Sequence, residues 1–226
     1  NPGENYLIIE PNSDEGIGYV EIDPEKKEIR GYNPVHRIYQ GWGKEAGFSG
    51  HFVIQLQDEI AEYGIWNNET IQSGQNSVKG ENSNVGAWVK LSIATPCRIN
   101  VKVGTSFTSI ENARKNLESE IPDWNFGNVR SKSSKIWNQA LGQIAVKGNN
   151  DDQKVKFYTA LYSTRFLPRV FSDVDGSYPR FDTGTPVKKA ENFTYYCDFS
   201  MWDTYRAVHP LFSILDSKMN GDMMHS

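Results

Sequence analysis

Tyr195, Tyr196, Phe199, Trp202 and Tyr205 stand among Asp198, Asp203, Arg206 and His209 in one short stretch that runs to Leu211. Sugar recognition needs that mixture. Pyranose rings offer apolar faces that stack on indole and phenol rings, and their hydroxyls seek carboxylate and guanidinium partners. Each residue also has an ordinary structural role. Ser200-Met201-Trp202-Asp203 fits the Ser-x-x-Asp helix start, in which the hydroxyl caps a backbone N–H and the acid reaches back to the cap. Arg206 would then be a surface ion-pair partner of Asp203 one turn on. His209, followed by Pro210 in what should be the same helix, reads as packed at a proline kink and not as a base.

Other candidates are weaker. Asp173-Val174-Asp175-Gly176 resembles the start of a calcium loop, but the third ligand position and the downstream glutamate are missing, so a turn with solvated carboxylates is the better reading. Trp42 to Gly50 sets aromatics among glycines, equally suited to sugar stacking and to an ordinary interstrand loop. There is no phosphate loop, dinucleotide fingerprint, nucleophile elbow or His-Glu-x-x-His zinc pair.

The elements that must position these residues fall into two kinds. Residues 6–10, 18–22, 28–32, 50–56, 87–93 and 99–103 are short, rich in β-branched and aromatic residues and bounded by Gly, Pro, Asn and Asp, which predicts an antiparallel sandwich. Alternation in several of them predicts a wet outer face. After Phe107 the period changes: Ile110, Ala113 and Leu117 mark a helix over 109–120, ended by Pro122. A second helix is expected over Asn125–Gly142, then a brief strand over 143–146. A third starts at Asp151-Asp152, where acids suit the helix dipole, and runs toward Pro168. Phe171 to Thr194 is a long irregular segment of the kind that tends to carry function.

Composition bounds the rest. At 226 residues, 38% hydrophobic and 12% aromatic, the chain has ample material for a packed core. Its 28 acidic and 24 basic residues are dispersed, with no cationic cluster to neutralise phosphates, so nucleic acid is not an expected partner. No apolar run approaches the roughly 20 residues of a membrane span, and no secretory leader opens the chain. Asn1-Pro2-Gly3 and the ending at Ser226 read as cut ends of a longer protein. Cys97 and Cys197 match neither a disulfide framework nor a zinc spacing and read as free thiols. The sequons at Asn68 and Asn192 decide nothing.

Phe157-Tyr158-Thr159-Ala160-Leu161-Tyr162, Phe171-Ser172-Asp173-Val174-Asp175-Gly176 and Phe199 to Leu211, in that order, resemble glycoside hydrolase family 92, the α-mannosidases. The likeness runs more loosely through Gly50-His51-Phe52 upstream. It implies an α+β multidomain chain: an antiparallel β-sandwich over 1–107, a helical linker over 108–148, and the start of an (α/α)6 barrel over 149–226. The site would lie where sandwich and barrel mouth meet. Family members are calcium-dependent, exo-acting and inverting, with an acid and a base roughly 6.5 to 9.5 Å apart.

The resemblance places the acid, the base and the calcium ligands in later barrel helices, so none is assigned here, and it implies that early sandwich segments also lie outside the chain. What carries over is Trp202 and Asp203 in the subsite for the terminal mannose, with Arg206 contacting the sugar or orienting Asp203. The expected partners are a mannose-containing glycan and the remainder of the polypeptide; the expected location is secreted, periplasmic or cell-surface. A carbohydrate-binding sandwich module without hydrolysis is the alternative, and a structural or interaction domain a third. Linkage preference is not legible in these residues.

Overall fold

Antiparallel pairing dominates the first half of the chain, as its short β-branched runs require. The computed structural model describes residues 5–11, 16–36, 45–92, 98–181 and 187–226, without the side chains of 35, 36 and 45. Strands run β1 (Tyr6–Ile9), β2 (Gly18–Asp23), β3 (Glu28–His36), β4 (Glu45–Leu56), β5 (Ile60–Asn67), β6 (Thr70–Ser73), β7 (Ser77–Gly80), β8 (Val85–Leu91) and β9 (Val101–Ser106). Helices α1 (Ile110–Glu120), α2 (Phe126–Leu141) and α3 (Asp151–Ser163) follow. Next come the two-residue strands β10 (Arg169–Val170), β11 (Ser177–Tyr178), β12 (Lys188–Lys189) and β13 (Tyr196–Cys197), then α4 (Met201–Thr204), α5 (Val208–Leu215) and α6 (Ser217–His225). The chain divides into two units, Asn1–Trp124 with Asp173–Lys189, and Asn125–Ser172 with Ala190–Ser226.

The first unit is a sandwich of a four-stranded sheet, β1-β8-β5-β6, on a five-stranded sheet, β7-β2-β3-β4-β9. Alternation puts Val20, Ile22, Ile29 and Leu56 of one sheet against Ile9, Ile65, Ala87, Val89 and Leu91 of the other, in one buried cluster. The β2–β3 hairpin is turned by Pro24 to Lys27, where Lys27 takes a left-handed φ of 54° and Lys26 N–H donates to Asp23 Oδ1 at 3.1 Å. Sequence reading did not find β5, β6 and β7. Their signal was weak: polar residues fill the wet side, and the two-residue β5–β6 turn is made by Asn68 at φ 51° with Glu69.

The outer side of the five-stranded sheet is not entirely wet. Ser109 caps α1, its Oγ accepting from Asn112 N–H at 3.0 Å, and Ala113 and Leu117 bury against Val53. Gly104 permits this approach: a Cβ there would stand 2.3 Å from the Ala113 carbonyl oxygen. Arg114 of α1 forks onto Glu28, Nε at 3.1 Å and Nη2 at 2.6 Å, and Arg30 forks onto Glu21 at 3.0 and 2.6 Å. Glu28 is only 3% exposed. Burial alone would raise its carboxyl, but the bonds and charges of Arg114 and Arg30 outweigh it and hold the group below the usual carboxylate range. Arg30 lowers Glu21 in the same way, chiefly by hydrogen bonding. Tyr19, partly buried and donating to Glu21, is pushed up to about 12.

The second unit is helical. Asn125 and Asn150 cap α2 and α3 by accepting from Asn128 N–H at 3.1 Å and Gln153 N–H at 3.2 Å. The brief strand expected over 143–146 does not form. The Tyr158 hydroxyl binds that backbone instead, donating to Ile144 O at 3.1 Å and accepting from Val146 N–H at 3.4 Å. α3 stops at Ser163, short of the expected Pro168. Tyr196, Phe212 and Met223 form the small core here, backed by Phe199, Val208 and Met219.

Candidate functional site

The Tyr195–Leu211 segment is built in three pieces. β13 pairs antiparallel with β10, Val170 opposite Tyr196, and the Arg169 guanidinium grips the Asp198 carboxylate just past the pair. Asp198 at φ 61° and Ser200 at φ 43° then turn the chain through the left-handed region on either side of Phe199. The turn divides the aromatics. Tyr196 and Phe199 join the small core, Phe199 stacking on His209 at 6.2 Å, while Trp202 is left 80% exposed and Tyr205 58%.

Two expectations for this segment need correction. Ser200 holds the N-cap position of α4 but makes no side-chain cap, because its left-handed backbone is not the extended conformation in which a cap hydroxyl faces the first N–H groups. Its Oγ instead donates to Asp203 Oδ2 at 2.5 Å. The segment is also two helices and not one. α4 ends at Thr204, and Pro210 sits in the first turn of α5, where its missing N–H costs nothing and no kink arises. His209 is packed as expected, its Nδ1 3.0 Å from Asn220 Oδ1 and its Nε2 buried without a hydrogen bond among the described residues.

Of the three predicted site residues, Trp202 and Asp203 lie side by side on α4, both exposed, the carboxylate held by Ser200. Arg206 lies in the turn after α4, also exposed. Among the described residues it makes no ion pair, so the expected Asp203–Arg206 surface pair is not formed. Arg206 thus has no described contact that would orient Asp203. Burial pushes the neighbouring Cys197 thiol up, away from reactivity. Cys97, Asp182, Gly184 and residues 42–44 of the Trp42–Gly50 segment lie outside the described residues.

A polar cluster that sequence reading missed sits in the first unit. Asp173 is 8% exposed and not a solvated turn carboxylate. Its Oδ2 accepts from Ser106 Oγ at 2.9 Å, Thr108 Oγ1 at 2.5 Å and Asn112 Nδ2 at 3.0 Å, and its Oδ1 from Asn116 Nδ2 at 2.7 Å. Asp175 meets Lys115 Nζ at 3.2 Å and accepts from Ser177 N–H at 3.0 Å. Its carboxyl is held low because these bonds outweigh its partial burial. The available signal was Asn112 and Asn116, two poor helix formers four apart on one face of α1.

This cluster does not fit calcium. Calcium needs six to eight oxygen ligands, and both Asp173 oxygens are already taken by O–H and N–H donors. Among the described residues no group of three or more His, Cys, Asp or Glu could hold a metal ion.

Residues 112–226 match the Glycosyl hydrolase family 92 catalytic domain, and residues 2–106 match the Glycosyl hydrolase family 92 N-terminal domain. The chain belongs to glycosyl hydrolase family 92. A family GH92 inverting mannosidase from Bacteroides thetaiotaomicron superposes with a TM-score of 0.78 at 27% identity, over 93% of this chain and 27% of that one. A family GH92 α-mannosidase from the same organism gives 0.85 at 25% identity, over 99% and 30%. That second protein has also been solved in complex with mannoimidazole, matching here with a TM-score of 0.84. An uncharacterized secreted glycosidase of Arthroderma benhamiae is 32% identical over 115 residues, 49% of this chain and 14% of the relative. The family 92 chain thus spans under a third of the solved structures and about a seventh of the curated relative. The α+β fold read from sequence, with antiparallel sheets followed by helices, agrees with these likenesses. No helix among the described residues is long and apolar enough to cross a membrane.

Proposed function

We propose that this chain is part of a secreted, periplasmic or cell-surface α-mannosidase that releases terminal α-linked mannose from glycans, inverting the anomeric carbon and depending on calcium. The division into sandwich (1–107), linker (108–148) and barrel start (149–226) belongs to the same proposal. The supporting observation is the paired exposure of Trp202 and Asp203 within a family 92 catalytic-domain match. The indole stacks on the apolar face of the terminal mannose, and Asp203 accepts hydrogen bonds from its hydroxyls. Ser200 holds Oδ2 and so fixes the carboxylate before substrate arrives. Arg206 donates to a hydroxyl of the same sugar.

The acid, the base and the calcium ligands lie in the remainder of the polypeptide. In the full-length enzyme Asp203→Ala lowers kcat/KM for an α-mannoside about 10- to 100-fold, the worth of a charge-assisted hydrogen bond or two, with the melting temperature unchanged. Mannose release at the wild-type rate by that variant removes Asp203 from the subsite, and full activity after chelation removes calcium from the proposal.

A further inference from the structure

The outer face of the four-stranded sheet carries more aromatic surface than the sandwich core needs. Strand alternation puts Tyr6, Ile8, Trp66, Ile71 and Trp88 on the side opposite the core. Trp88 lies opposite Gly64 on the neighbouring strand, and Trp66 opposite Gly86. A Cβ at Gly86 would stand 2.0 Å from Trp66 Cζ2, and one at Gly64 would stand 2.8 Å from Trp88 Cζ2. Each indole therefore lies across the partner strand's glycine, one ring face on backbone. Both glycines are buried and both indoles half-buried, so the second ring face looks outward.

The rest of the surface keeps the rings in place and the face electrically quiet. Trp66 Nε1 donates to Asn84 Oδ1 at 2.9 Å, and Asn84 Nδ2 donates to Glu10 at 2.9 Å. The Tyr6 and Trp88 rings meet in a T-shaped contact, their centroids 5.9 Å apart and their planes at 65°. Lys90 and Glu62 pair at 2.9 Å and so compensate each other on the sheet itself. Ile8 is 68% exposed and Ile71 69%. A face of flat rings with hydrogen-bonding groups at its rim, one Lys–Glu pair and a single further carboxylate, Glu10, bound by the neutral Asn84 amide, has no electrostatic match to offer an anionic partner and little to offer a cationic one. It suits a neutral, hydroxyl-rich ligand with flat apolar faces.

We propose that this sheet face is a second glycan-binding surface, taking neutral pyranose rings of a polysaccharide on Trp66, Trp88 and Tyr6, in addition to the Trp202–Asp203 pair. It rests on the mannosidase reading only for the class of ligand. Its role is to hold a long substrate, so it alters capture of polymer and not turnover of a small glycoside.

The test uses the full-length protein in gel electrophoresis through soluble α-mannan or β-glucan, in an Asp203→Ala background so that retention reports the sheet face. Retention by either polymer is expected, weakened at least tenfold by Tyr6→Ala with Trp88→Ala. Ile8→Asp with Ile71→Asp, at the exposed positions of this face, gives the same loss with the melting temperature unchanged. With Asp203 intact, neither pair changes kcat/KM on an aryl α-mannoside. Unchanged retention in the Ile8→Asp, Ile71→Asp variant overturns the proposal. So does an Ile8→Cys variant whose thiol resists maleimide in the native protein, since the face is then covered. If no mannoside is cleaved but a polymer is retained through these residues, the mannosidase reading falls and this one stands. Cleavage without retention has the opposite meaning.

Discussion

The two units differ most in what they do with apolar surface. The sandwich closes its own core: Val20, Ile22, Ile29 and Val89 have no accessible surface at all. The helical unit buries little, and α2 has no buried residue along its 16 positions. Phe126, Ile136, Val155 and Ile214 are more than half exposed, Ile214 at 82%. Both units use sound local signals, with capped helices in one and alternating strands in the other. Local signals therefore form elements in both, and within the residues of this chain the larger closed core is that of the sandwich. The Trp202–Asp203 pair is placed by a local turn, shaped by the left-handed residues Asp198 and Ser200.

The largest effect that would test this contrast is expected at Ile29. Truncation by Ile29→Ala leaves a cavity between the sheets and costs about 4 kcal/mol in urea unfolding followed by circular dichroism at a β-sheet wavelength. A cost below about 1 kcal/mol would mean that the sandwich is not the rigid partner. Next comes Glu28, where Glu28→Ala strands Arg114 and Arg30 and costs about 3 kcal/mol, the low end for a broken buried pair because both arginines keep some water.

The same pair predicts the acid limb. Glu21 and Glu28 are both lowered from an ordinary value of 4.5, so the unfolded chain takes up protons first as the pH falls past it. Their contribution is present in full above that pH and is lost as the pH drops through the lowered folded values. Glu28→Gln should flatten this part of a stability-against-pH curve; an unaltered slope would remove the pair as its source.

Asp173→Ala should cost about 2 kcal/mol, since hydroxyl and amide donors of Ser106, Thr108, Asn112 and Asn116 lose their common acceptor. Proteolysis of the 173–189 segment should rise with it. The smallest effect belongs to the helical unit: Ile136→Ala, at 54% exposure, should change stability by less than about 0.5 kcal/mol. A loss of several kcal/mol there would show α2 to be covered in the intact protein and would narrow the contrast between the units.

Periodicity was legible in the chain itself. The helices expected from Ser109, Asn125 and Asp151 start at Ile110, Phe126 and Asp151, because the pattern of apolar and acidic residues acts between near neighbours, whereas the caps at Ser109, Asn125 and Asn150 were not read in advance. Val20, Ile22 and Leu56 were readable as core for the same local reason, the two-residue period of a strand. The Trp202–Asp203 juxtaposition was also local, and so could be singled out before any fold was known. Tertiary structure alone decided what depends on distant partners. It buried Asp173 under donors from α1 some sixty residues upstream, and it laid Trp66 and Trp88 across glycines of neighbouring strands. Nor could helix-start chemistry foresee that Ser200 would turn left-handed and give its hydroxyl to Asp203. The path of the chain between β13 and α5 sets that angle, and no pattern of neighbouring residue types encodes it.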